Sequence, residues 1–503
     1  MVRSSVGVGA VLGGLLLVSM GAGVPPQRNF GDPVPGLTPA ELARFEFGKV
    51  QFDADQSIGE GLGPVFNDLG CGACHAGPAS GGFSTQIVVR FGVVNDGIFD
   101  PLAELGGSLF QDSAIVIDEL NPDLCAETIP EGAIEAVRNT PPAFGYGIVE
   151  AIDDLDILAN EDPMDANADG VSGRAHMVVP LETPGGAERV GRFGLKSQVP
   201  TLLTFSGDAF LNENGVTNRL VTTENAPSGD PAILALCDTV PEDPYEDFEV
   251  APGVEKIDAF TDFQQLLGVP PQWPPAGYLP GEAIFSQIGC ATCHVPSFTS
   301  STKAAFAALA YQTIYPYTDW LVHDIGTGDQ IVFGPVTGKE FRTAPLWGMR
   351  HRSQYMHHGC VSLSSGNTIA DLAQVIDGHS CGTVPNGCEL DTEGSECEAL
   401  PSYNAWVALS AAEKSQLLDF LGSLGRMLFD ESATAWPGSL DIDKLDWAYM
   451  RQCLDAGGPG VEPEVSSGNP VLHDCLLGFD SELDGDTDLS DVADFQNHFA
   501  PAP

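Results

Sequence analysis

Two five-residue stretches carry the most specific chemistry in this chain: "CGACH", Cys71 to His75, and "CATCH", Cys290 to His294. In each, two cysteines three positions apart fall about one helical turn apart on one face, so both sulfurs can reach the two vinyl groups of a single porphyrin. The adjacent histidine then swings under the ring to bind iron. Zinc would need four ligands, hence convergence of both motifs, and gives no reason for a histidine directly after each second cysteine. Thiol exchange of the thioredoxin type would set a CxxC on a βαβ pattern that is absent here. The spacing predicts two covalent c-type haems, bound through Cys71 and Cys74 and through Cys290 and Cys293, with His75 and His294 as proximal iron ligands.

The sixth position of each iron decides function, because an occupied one favours electron transfer and an open one admits peroxide or oxygen. For the second haem the distal loop should lie between Cys290 and a closing helix, where Met349, Met356, His357, His358 and His379 stand. No obvious partner follows the first motif closely.

Helices must position these motifs. "LTPAELARFEFGKVQF" opens with a capping box, Thr38 as N-cap and Glu41 three residues on, with Pro39 at the first helical position. "LPGEAIFSQIGCATCH" compresses the same order into a short helix, Gly289 and the second motif. A helix ending just before each motif would pack beside the cofactor. The closing helix is "LSAAEKSQLLDFLGSL", with a Ser410–Glu413 capping box and Leu417, Leu418, Phe420 and Leu421 on its apolar face.

At 503 residues the chain exceeds one hydrophobic core, since domains usually hold about 100–200 residues. Arg3 followed by the apolar run "VGVGAVLGGLLLVSM" and small residues at 21–23 is the anatomy of a secretory signal peptide, residues 1–23, whose apolar run is shorter than the roughly 20 residues of a membrane span. A periplasmic or secreted protein is expected, with no span in the mature chain. Twelve cysteines suit that compartment; the eight outside the motifs could form up to four disulfides, Cys453 with Cys475 being the best-isolated pair. The formal charge of −49 argues against nucleic acid or an anionic membrane as partner.

Two acidic loops have calcium-ligand rhythm. "DSELDGDTDLSD" sets Asp480, Glu482, Asp484, Asp486, Asp488 and Asp491 around Gly485, as an EF-hand loop does. With the following "VADFQNHF" it resembles half of a dockerin repeat. "DANADGVSGR" offers Asp165, Asn167 and Asp169 before Gly170; the bland reading is an Asx-rich turn.

Taken together, "GLGPVFNDLGCGACH", "GRFGLKSQVPTLL" with "AFLNENGVTN", "GCATCHVPSF", "IYPYTDWLVHDIG" and "FRTAPLWGMRHRSQYMHHG" resemble the di-haem oxidoreductase family, also labelled thiol oxidoreductases and similar to bacterial di-haem cytochrome c peroxidases. The resemblance runs from about Leu37 to Leu424. It implies a mainly α protein of two cytochrome c-like domains, residues 24–255 and 256–436, with loop-rich insertions, and the change to Gly-, Pro- and Asp-rich composition beyond Trp436 marks a short C-terminal appendage, residues 437–503. It implies electron transfer between the haems, taken from a small redox protein or other donor, with reduction of peroxide or another small-molecule acceptor at one of them. Arg192, Lys196 and Arg342 match basic positions of the family, and cations of this kind suit haem propionates. Where the family reads "LHDGRA" this chain has "MHHGCV", so His358 and Cys360 replace the acid and the arginine. His357 matches the family histidine, His323 belongs to the matching "HDIG", and His379 stands about two positions from the family's next histidine, which nominates it as distal ligand. The contrasting reading is a non-enzymatic electron carrier with both haems six-coordinate.

Overall fold

The computed structural model describes residues 29–240, 244–272, 276–277, 279–363, 371–381 and 397–425. The expected signal peptide at 1–23, Cys388, Cys453, Cys475 and the whole acidic tail with Asp480, Glu482, Asp484, Asp486 and Asp491 lie outside these residues.

Local sequence rules set the helices. Thr38 Oγ1 accepts from the Glu41 N–H at 3.3 Å, and the Glu41 carboxylate accepts from the Thr38 N–H at 2.7 Å, opening the Pro39–Phe52 helix. Ser410 and Glu413 reciprocate in the same way ahead of Ala411–Ser423. The helix Pro280–Gln287 ends two residues before Gly289, whose φ of 90° turns the chain into the second motif.

The expectation of a mainly α protein fails. The fold is mixed α/β, with small antiparallel sheets between the helices. In the largest, Ile87–Asn95 pairs with Ile98–Asp100, with Leu109–Phe110 and with Ile134–Asn139, in a register running from Ile87 opposite Asn139 to Gly92 opposite Ile134. The physical reason lies in "IVVRFGVVN": β-branched and aromatic side chains lose rotamer freedom on a helix and pack well on a pleated face. A second ribbon pairs Val322–Asp324 with Glu340–Arg342.

Two cores result. The first gathers Phe45, Phe52, Phe144, Phe193, Phe260 and Phe263 with Trp320 and Trp347, so it draws on residues from both sides of position 255. The second gathers Phe285, Tyr317, Met349, Tyr355, Leu417, Phe420 and Leu421. Each core contains a helix pair crossing at a glycine. A Cβ on Gly48 would lie 2.4 Å from the Ala259 carbonyl oxygen, and one on Gly281 would lie 1.9 Å from that of Gln416. Only glycine lets Pro39–Phe52 and Pro280–Gln287 approach Lys256–Leu266 and Ala411–Ser423 so closely. Disulfides join Cys125 to Cys237 and Cys381 to Cys397. Among the described residues no helix is long and apolar enough to cross a membrane.

Candidate functional site

The two CxxCH motifs are built alike. Cys71–Cys74 forms one helical turn and Cys290–Thr292 one 3₁₀ turn; the His75 N–H reaches the Cys71 carbonyl at 3.0 Å and the His294 N–H that of Cys290 at 2.9 Å. The preceding helix contributes a phenylalanine beside each histidine, Phe52 with its ring 6.0 Å from His75 and Phe285 6.2 Å from His294. His75 Nδ1 donates to the Gly82 carbonyl at 3.0 Å, and His294 Nδ1 to that of Tyr317 at 2.8 Å. A carbonyl can only accept, so each ring carries its proton on Nδ1 and leaves Nε2 as the free electron pair. Iron-binding histidines are oriented by this kind of contact.

Among the described residues, the four free thiols are those of the two motifs; Cys125, Cys237, Cys360, Cys381 and Cys397 are all disulfide-bonded. Burial pushes the Cys71, Cys74 and Cys290 thiols up to about 12, which keeps them neutral. A thioether is also neutral, so such a pair suits covalent haem, whereas metal-binding thiolates would have to be charged in a poorly solvated place. Burial also lowers His294, to about 4, holding the imidazole in its ligating form.

Next to the second motif is a cavity of about 220 Å³. Cys290, Cys293 and His294 line it, with Leu417 and Leu421 of the closing helix, and so do four of the five distal candidates, Met349, Met356, His357 and His379, but not His358. His379 Nδ1 donates to the Val375 carbonyl at 3.2 Å, the arrangement seen at His75 and His294, and its charged form would depress His294. His357 is held differently: it stacks on Phe341 at 3.6 Å and against His358 at 4.4 Å, and burial drives it well below the usual histidine range. The Tyr146 hydroxyl is buried without a protein partner, and the residue lines this cavity. Thiols, a free Nε2, apolar walls and an unpaired hydroxyl fit a haem.

Sequence reasoning left open the role of His323, which also lines the cavity. Its Nε2 lies 2.8 Å from Asp319, its Nδ1 2.6 Å from Glu398 and 3.7 Å from the Cys293 sulfur. Burial disfavours its charge, but the Cys293 thiolate, Asp319 and Glu398 outweigh that and raise it well above its usual value. With Cys293 as a thioether the sulfur's share, the largest of the three, disappears, and Asp319 and Glu398 remain as the groups that favour the charged ring. Gly173 makes room for it, since a Cβ there would lie 2.4 Å from His323 Cε1. Asp319 and Glu398 were missed because they stand 4 and 75 residues from His323 and meet it only through folding.

The three matched cations separate. Arg342 lines the cavity, with Nε donating to the Gly194 carbonyl at 2.8 Å and the guanidinium over Trp320. Arg192 is fully buried elsewhere, its guanidinium taken by the carbonyls of Val149, Glu150 and Ile152 and by Asp154. Lys196 is buried too: Nζ donates to the carbonyls of Thr337 and Glu340, pairs with Asp329 at 3.2 Å and lies 3.9 Å over the Phe341 ring. Asp329 also holds Arg138 at 2.6 Å. Neither Arg192 nor Lys196 reaches the cavity; Lys196 supports it from behind, through Phe341 and His357. In the 165–169 loop the carboxylates are occupied locally. Asp165 accepts from the N–H groups of Asp169 and Gly170, and Asp169 accepts from Val171. Among the described residues no three His, Cys, Asp or Glu side chains are grouped to hold a metal ion.

No curated protein matches this chain. A solved structure of Kuenenia stuttgartiensis hydrazine synthase, pressurised with 20 bar xenon, aligns over 84% of this chain and 99% of its own at 14% identity, with a TM-score of 0.29, too distant a likeness to carry an argument. The family model described as "Di-haem oxidoreductase, putative peroxidase" matches residues 123–424, which takes in the second motif and its cavity and begins after the first. That match spans more than half of the sequence, and the chain belongs to the di-haem oxidoreductase family.

Proposed function

We propose that this protein is an extracytoplasmic oxidoreductase that moves electrons between two covalently bound c-type haems and reduces peroxide or another small acceptor at one of them. The observation that carries this reading is the cavity where His294 and His379, each with Nδ1 fixed on a backbone carbonyl, present Nε2 as the remaining ring nitrogen. Haem bound at each motif would supply a one-electron centre, and an iron with an open position would supply a binding site for the acceptor.

The chain's own residues do the rest. Cys290 and Cys293 tether, His294 and His379 orient, and the apolar walls from Leu417, Leu421 and Phe285 exclude water. A site closed by two histidines is suited to passing electrons, which makes the second motif the electron-entry side and leaves the first for chemistry. The strongly negative net charge suits a basic soluble redox protein as donor, outside the cytoplasm as the expected signal peptide implies. Calcium at Asp480–Asp491 belongs to this reading, and calcium titration of chelator-treated protein tests it: no uptake by the intact chain removes it.

EPR of the oxidised and half-reduced protein tests the assignment. One low-spin signal and one high-spin signal that changes on adding peroxide is the expected result. Two low-spin signals throughout, indifferent to peroxide, would make the protein an electron carrier instead.

A further inference from the structure

Arg352 stands between two cavities. One is the cavity of His294 and His379; the other, about 190 Å³, is lined by Gly77, Pro78 and Phe83 of the loop that holds His75. Its guanidinium lies 5.7 Å over the Phe83 ring and 5.8 Å over that of Tyr355. Among the described residues it has no carboxylate and no hydrogen-bond acceptor. The other cations at the cavity and behind it are accommodated: Arg138 and Lys196 by Asp329, Arg192 by Asp154, Arg342 by two carbonyls. In a chain with 70 acidic residues against 21 basic ones, a guanidinium held among aromatic rings without an acid is conspicuous.

Arg352 is half-buried and lines both cavities, and the burial it has lowers it from the usual arginine value, with Arg342 adding to the effect. Arg342 and Arg352 therefore present two positive charges to one apolar space. An anion delivered by whatever fills that space would be its partner, and a planar guanidinium fork matches a carboxylate best. We propose that Arg352 binds a propionate carboxylate of the haem at His294 and, from its seat against the His75 loop, raises that haem's reduction potential. The inference rests on the reading that Cys290 and Cys293 hold a haem. A positive charge beside an iron favours the reduced form, which carries one charge less. Removing it also exposes the propionate, which favours the oxidised form.

The test is a potentiometric titration of the full matured chain and its Arg352→Gln and Arg352→Lys forms, with haem retention counted after denaturation. Arg352→Gln should change the oxidised-to-reduced ratio of the second haem at fixed potential by at least tenfold, a 59 mV fall for one electron. Arg352→Lys should recover most of the shift, which a merely structural role would not produce. An unmoved potential in Arg352→Gln with both haems retained overturns the proposal. If that variant loses its second haem, a crystal structure of the matured wild-type chain decides: a propionate oxygen within hydrogen-bonding distance of Arg352 supports it, and propionates turned away overturn it. A wild-type chain with no haem at Cys290 and Cys293 would refute the underlying reading instead.

Discussion

Asp329 is the acid on which the support behind His357 depends, so Asp329→Asn is the most informative single change to the scaffold. The carboxylate is 4% exposed and serves Arg138, 4% exposed, at 2.6 Å and Lys196, 0% exposed, at 3.2 Å. An amide keeps the shape and removes the charge, leaving two buried cations with carbonyls and aromatic rings alone. Breaking one buried pair in this way costs about 3–5 kcal/mol. Two cations share this acid, which argues for the upper part of that range, a large fraction of a typical stability of about 5–15 kcal/mol. Urea unfolding of the matured protein, followed by circular dichroism, should show the midpoint falling with the slope unchanged. Adding Lys196→Met should recover part of the loss, because an apolar side chain of similar length no longer strands a charge on Phe341. Lys196 presses on Phe341 and Phe341 stacks on His357, so the visible spectrum of the haem at His294 should also change. A loss below about 1 kcal/mol, the level of an exposed ion pair, or no recovery in the double variant would refute the reasoning.

Three further outcomes are expected. His379→Gly should convert the second haem from low to high spin in EPR, with both haems retained; an unchanged spectrum removes His379 as ligand. Burial first, and the neighbouring Glu246 carboxylate second, push Glu224 up to about 10 from 4.5, so across that window the folded chain holds a proton that the unfolded chain lacks. The stability present below the lower value is lost as pH rises, and Glu224→Gln should match wild type in melting temperature near pH 4 and exceed it near pH 8; equal melting temperatures at both would contradict this. Replacing Cys125 and Cys237 by serine opens a loop of 112 residues and should cost about 2–5 kcal/mol, read as a lower melting temperature; an unchanged one would show the crosslink to be dispensable.

What was legible in the sequence was local. CxxCH needs only five residues, and the capping boxes at Thr38 and Ser410 need four, so each could be read without knowing the fold. The sheets were misjudged although "IVVRFGVVN" carried a strand signal of its own, because the family resemblance emphasised helices and made the strands read as insertion. Arg192 shows the opposite limit. Its place within "GRFGLK" matched a basic position of the family, but the carbonyls that claim it, those of Val149, Glu150 and Ile152, lie 43, 42 and 40 residues away. The Asp319–His323–Glu398 cluster and the position of Arg352 between two cavities are likewise products of packing, which no spacing rule encodes.

The central claim, two haems held by thioether bonds, has one direct measurement: the intact mass of the full matured chain after denaturation. The expected mass is that of the chain plus two haems, with one haem lost when Cys71 and Cys74 are replaced and the other lost when Cys290 and Cys293 are replaced. A denatured chain carrying no haem, or one whose haem content is indifferent to those four cysteines, would contradict it.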